Sequence, residues 1–230
     1  MKLHRLTRTA GATVAVLALS ATLAACGSDD TTKPAADKAG SSDSGMTSDS
    51  PSTGNTGSTD AGAQTFGSGC AKIPTSGAGS FDGMVKDPVA TAASNNPLLS
   101  TLVTAVTSID GLADTLNGAA ALTVFAPYND AFGAIPPKDL NAMVSEGKTK
   151  GQNSALYKVL AHHVLGANDD PTAVAGKQKT LLGDELTIAG DPQSGMTVSD
   201  GTVTAKVLCG NIPTANATVY VIDKVLTGVK

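Results

Sequence analysis

The sequence predicts an α+β domain, a β-sandwich or wedge with helices packed along one side. Three observations point there. Within residues 66–230, the first half carries Asp-Pro and Asn-Pro pairs followed by apolar residues at a helical period. The second half carries short apolar runs separated by turn residues. Between two of those runs stands Asp200-Gly201, a strong two-residue hairpin signal. Helices first and hairpins later is the pattern of a sheet with its helices segregated to one side.

Taken in order, Asp87-Pro88 and Asn96-Pro97 each place a capping side chain before a proline, the favoured N-cap and N1 pair. From Pro97, Leu98, Leu102, Ala105, Val106 and Ile109 recur at a period near 3.6. Leu112 and Leu116 mark a further short helix closed by Asn117-Gly118, and Pro136-Pro137 opens another with Leu140 and Met143 on one face. Leu156, Val159 and Leu160 continue the helical pattern until the chain turns extended at about His162. Leu122 to Ala126 reads as a strand stopped by Pro127, and Leu186 to Ala189, Met196 to Ser199 and Thr202 to Leu208 as further strands. Ala217 to Ile222 is apolar at nearly every position, so both of its faces should be covered.

Upstream of this domain the composition changes twice. Residues 1–25 read as an export leader: Lys2, Arg5 and Arg8 form a positive head, and no acid precedes Asp29. The apolar stretch from Ala10 to Ala25 falls short of the roughly 20 residues needed to cross a hydrocarbon core. It ends in Leu23-Ala24-Ala25-Cys26, which resembles the bacterial lipobox, whose cysteine takes a diacylglyceryl group and becomes the new N-terminus. Cys26 is therefore the expected lipid anchor, placing the protein on the outer face of the bacterial membrane. Residues 26–65 read as a tether rich in Ser, Thr, Gly and Asp, with Met46 its only large apolar residue. Such a segment cannot bury enough surface to offset the cost of ordering its backbone. As a coil it would span about 35 Å.

The formal charge is −4, with 16 Lys and Arg against 20 Asp and Glu, which argues against a nucleic-acid partner. If Cys26 carries lipid, Cys70 and Cys209 remain in an oxidising compartment. Pairing them would staple the start of the domain to its last hairpin; two free thiols are the alternative. No Gly-x-Ser-x-Gly turn, His-Glu-x-x-His pair or phosphate-binding glycine loop occurs. Neither an enzymatic activity nor a cofactor or metal is expected. Asn168-Asp169-Asp170 reads as a solvated acidic turn, with too few ligands for calcium.

Three segments resemble the fasciclin-domain family. Thr123-Val124-Phe125-Ala126-Pro127-Tyr128-Asn129-Asp130-Ala131-Phe132 resembles its first signature, a strand running through Ala-Pro into a short helix. Leu156-Tyr157-Lys158-Val159-Leu160-Ala161-His162-His163-Val164-Leu165 is similar to its central helix-to-strand segment, and Asn216 to Leu226, with Tyr220, to its closing signature. Tyr128 stands where the family usually has Thr, and His162 where a Tyr usually precedes the characteristic His163. The resemblance implies a β-sandwich-like wedge with helices along one side, and extracellular adhesion or recognition rather than catalysis.

At residue level, Phe125 and Phe132 should be core. Asn129 should cap the turn that follows it, with Asp130 complementing the N-terminal dipole of that turn. His162 and His163, read as neighbours on an extended chain, should point to opposite faces. One then faces inward and one solvent, with His163 the inward residue by the resemblance. Together these readings describe a lipid-anchored surface module for an extracellular protein or glycan partner. The alternative is an extracytoplasmic carrier holding a small apolar ligand in a cleft of the sandwich.

Overall fold

The computed structural model describes residues 60–229. The leader, Cys26 and the tether up to residue 59 lie outside the described residues. Among the described residues, no helix is long and apolar enough to cross a membrane.

The helices come first. α1 (Phe81–Met84) starts at Ser80, whose side chain accepts from the Gly83 N–H. α2 (Val89–Ser94) follows Asp87-Pro88, but its N-cap is Pro88 and its start is capped from a distance. Asn216 Oδ1 accepts the Val89 N–H at 2.9 Å, and Asn117 Oδ1 accepts that of Ala90 at 2.9 Å. At the second proline the local signal holds: Asn96 Oδ1 accepts the Leu98 N–H at 3.0 Å, opening a 3-10 turn (Pro97–Leu99) that runs into α3 (Ser100–Thr107). α4 (Leu112–Gly118), α5 (Pro137–Lys150) and α6 (Ala155–His162) fall where the apolar spacing put them. Ser154 caps α6 by accepting the Tyr157 N–H.

The strands are β1 (Leu122–Pro127), β2 (Val164–Leu165), β3 (Gly176–Lys179), β4 (Glu185–Asp191), β5 (Gly195–Ser199), β6 (Thr204–Pro213) and β7 (Ala217–Ile222). They form one mixed sheet in the order β2-β1-β7-β6-β5-β4-β3. Only β1 and β7 are parallel, with Phe125 opposite Tyr220. Leu165 of β2 bridges to Thr180 just beyond β3, and the Leu181 N–H reaches the Val164 carbonyl at 2.8 Å. The two ends of the sheet thus approach each other, and the α+β fold curls nearly into a barrel. β3 escapes the sequence pattern because Gly-Lys-Gln-Lys is a polar, largely exposed stretch.

β6 bends the sheet. It pairs with β5 through Thr204–Lys206 and with β7 from Val207 onward, with register shifts on either side of Cys209. The expected two-residue hairpin is a longer turn: Ser199 pairs with Thr204, leaving residues 200–203 in the loop. Asp200 Oδ1 accepts both the Thr202 and Val203 N–H groups, and Gly201 takes φ +85°.

Two cores result. Leu122, Ala126, Ala217, Val219 and Val221 face the helices. Phe125, Tyr220 and Ile222 face the interior of the curled sheet, against Leu186, Val198 and Leu226. Period-two alternation along β1 and β7 divides their side chains between two apolar layers, which is why β7 is apolar nearly throughout. Cys70 and Cys209 are disulfide-bonded, with Cα atoms 4.8 Å apart. Beside the bridge, Phe66 pairs with Gly210 through two backbone hydrogen bonds, and its ring would overlap any Cβ placed at Gly210.

Candidate functional site

The residues singled out by the sequence converge on the junction of β1, α6 and the chain's final segment. α6 delivers His162 as its last residue and His163 as its C-cap, after which β2 pairs antiparallel with β1. Both imidazoles are buried, at 1% and 3% exposure. This corrects the expectation that one would face solvent. The pair ends a helix instead of alternating along a strand, so the two rings lie edge to face, with centroids 6.1 Å apart.

Hydrogen-bond partners fix the form of His163. Nδ1 lies 2.6 Å from the Val159 carbonyl, which can only accept, and Nε2 accepts the Leu226 N–H at 3.0 Å. The ring is therefore neutral with its proton on Nδ1. Burial pushes its pKa down to about 4, with the neighbouring His162 adding to the effect; the Val159 carbonyl and Asp200 oppose it.

His162 lies between two carboxylates. Nδ1 is 2.5 Å from Asp184 Oδ2, and Asp184 also accepts the Thr180 hydroxyl. Nε2 is 3.7 Å from Asp200 Oδ2 and has no hydrogen-bond partner among the described residues. Burial opposes charge on Asp200, but the N–H groups of Val203, Gly228 and Thr202 outweigh it and hold the carboxyl below the usual range. His163 and Asp200 together clamp the final segment through the Leu226 and Gly228 N–H groups.

Tyr220 is fully buried between Phe125, at 5.6 Å, and Phe66, at 6.4 Å. Its hydroxyl donates to the Asp169 carbonyl at 3.0 Å, and burial pushes its pKa up. The Asp169 loop is consequently anchored: Thr123 Oγ1 accepts the Asp169 N–H, and the Thr218 hydroxyl donates to Asn168 Oδ1. Phe132 packs in the helix-side core, and Asp130 sits in the first turn of a 3-10 segment (Asn129–Ala134). Asn129 does not cap that segment. Its Oδ1 accepts the Thr101 N–H at 3.0 Å and its amide donates to the Pro97 carbonyl, so it ties down the start of α3.

Sequence reasoning missed the role of Asn216. Its amide nitrogen donates to the carbonyls of Leu116, Asn117 and Ala119 while its oxygen caps α2. Partners about a hundred residues away leave no local signal. The alternative reading expects an apolar ligand in a cleft of the sandwich without saying on which side. The interior of the curled sheet is filled by Phe125, Tyr220 and their neighbours. A cleft of about 240 Å³ opens instead on the helix side, between α2, α3, α4, α6 and β1, with His163 in its wall.

The Fasciclin domain family profile matches residues 97–228, spanning β1, the His162-His163 junction and β7. The chain belongs to the fasciclin-domain family. The chain is 42% identical to the cell surface glycolipoprotein MPB83 of Mycobacterium bovis over 175 residues, 73% of this chain and 74% of that one. Immunogenic protein MPB70 of the same species is 41% identical over 70% of this chain and 80% of its own length. Protein sll1483 of Synechocystis is 34% identical over 58% and 69%. A FAS1 domain pair from the insect cell adhesion molecule Fasciclin I gives a TM-score of 0.43 at 19% identity, covering 56% of this chain and 44% of that one. In this fasciclin domain His163 is an internal tie between α6 and the chain's end.

Proposed function

We propose that the protein is a lipid-anchored cell-surface module whose fasciclin domain binds an extracellular protein or glycan partner. One observation carries this reading. The chain matches a relative named as a cell surface glycolipoprotein over about three quarters of both lengths, and its own Leu23-Ala24-Ala25-Cys26 resembles the lipobox that would anchor it at such a location. The site agrees with binding rather than turnover. Both imidazoles are buried, and the characteristic His163 has both ring nitrogens committed to internal bonds. In this reading the domain spans 66–230 and residues 26–65 hold it away from the membrane.

Two measurements test the proposal. Labelled palmitate should enter the wild-type protein and not Cys26→Ser, in cells whose known lipoproteins label normally. The full chain carrying Cys26→Ser, immobilised, should retain a specific protein or glycan from extracellular matrix or cell-wall preparations. Retention no greater than that of a denatured control would remove the adhesion part while leaving the anchor standing.

A further inference from the structure

The cleft on the helix side of β1 has a wall of unusual chemistry. It runs from the α2 and α4 surface, at Thr91 and Asn117, down to Val124, Phe125 and His163. None of its lining residues carries a formal charge at neutral pH, and most are aliphatic. Five have polar side chains, and each is already engaged. Asn117 caps α2 with its oxygen and donates its amide to Thr91 Oγ1. Ser94 donates to the Thr91 carbonyl, and Thr107 to that of Val103. His163 is held at both nitrogens by Val159 and Leu226. The donor capacity left over, the Thr91 hydroxyl proton and the second amide proton of Asn117, lies at the α2–α4 rim, where Thr91 is exposed.

A space of this kind offers water little to bond to, and apolar cavities of comparable size take up small apolar molecules. A ligand with a polar group inside would lose hydration without gaining a partner. The volume sets a second limit. About 240 Å³ holds about nine methylene groups at the packing density of a protein interior.

We propose that this cleft binds one aliphatic acyl chain of a lipid to a depth of about nine carbons, with the headgroup left outside in solvent. The fold suits that task, because α2 and α4 are joined by Asn117 and Asn216, which fixes the mouth between them. The chain lies along Leu102, Val106 and Leu116 and ends against Val124 of β1.

The test uses the full chain with Cys26→Ser, prepared without detergent, and a series of straight-chain 1-alkanols from hexanol to dodecanol, followed by calorimetry. Affinity should rise about 4-fold per added methylene and level off near nine carbons. Val106→Phe, which fills the space, should weaken nonanol binding at least 10-fold. Ala93→Leu is the milder variant should Val106→Phe fail to fold, and should move the plateau to a shorter chain. Affinity independent of chain length, no saturable binding at all, or binding unchanged by a folded filling variant would overturn the proposal. So would a concentration-dependent dimer that excludes alkanol, since the cleft would then be an interface between copies.

Discussion

The Leu226 N–H donates to Nε2 of His163 at 3.0 Å, a bond that exists only while that nitrogen is unprotonated. Nδ1 cannot release it by exchanging roles, because the Val159 carbonyl demands a donor there. Burial therefore favours the neutral ring in the folded state, with a pKa of about 4 against 6.5 when unfolded. Between those values the unfolded chain binds more protons than the native one. The stabilisation is full above pH 6.5, declines as pH falls, and is gone near pH 4.

Urea unfolding measured from pH 7.5 to pH 4 should accordingly show a loss of about 3 kcal/mol attributable to this residue. His163→Gln should be less stable at pH 7 and should show a flatter pH dependence over the same range. An identical slope in the variant would mean that His163 does not carry the pH dependence.

Asn216 makes a different kind of tie. One side chain caps α2 through Val89 and satisfies three carbonyls at the end of α4 and the residue beyond. Truncation leaves several buried backbone groups unpaired, so Asn216→Ala should cost about 2–3 kcal/mol in chemical denaturation. Asn216→Asp keeps the acceptor for Val89 but turns an oxygen toward carbonyl groups, and should not restore stability. Asn216-Ala217-Thr218 also matches the N-glycosylation pattern, and with its amide committed internally Asn216 should stay unmodified in the folded protein, which intact mass would show.

These ties explain which parts of the fold were legible in the sequence. Asn96 capping its own helix, the apolar face of α6 and the two-sided burial of β7 all rest on neighbours in sequence, and local periodicity reveals them. Asn129 looks like a local cap and serves an element 28 residues away, while Asn216, without any local signal, caps one 127 residues away. His162 and His163 do not alternate because α6 runs through His162 with His163 as its C-cap, and the strand starts only at Val164, two residues later than the sequence pattern suggests. The layer that holds the cleft was not legible because curling of the sheet, with its register shifts in β6, has no signature in hydropathy.

Gly210 supplies a third test. Its position in β6 faces Phe66, where an added Cβ would sit 2.3 Å from the ring's Cζ. The ring cannot swing away freely, since Phe66 is held by two backbone bonds to Gly210 and packs edge-on against Tyr220. Gly210→Ala should destabilise by about 1–3 kcal/mol through overpacking. In a Phe66→Ala background the same change should cost much less, giving a coupling energy of about 1 kcal/mol or more. Additive costs would mean that the strain is relieved by the backbone instead.

The Cys70–Cys209 bond fastens this same corner from the other side, closing a loop with a sequence separation of 139. Crosslinking residues so far apart removes much of the unfolded chain's freedom, with an upper figure of about 5 kcal/mol from loop entropy. Replacing both cysteines by serine should lower stability by a large part of that. The loss should also have a local signature. The segment around Phe66 is tied to β6 by two backbone bonds and the Asn211 amide on the Gln64 carbonyl, and its ring packs on Tyr220, so without the covalent link it should open before the sheet does. Native-state hydrogen exchange should then show the Gly210 amide exchanging faster than those of Val219 and Val221 in β7. Equal protection of all three in the serine variant would mean that Phe66 holds the corner without the sulfur bridge.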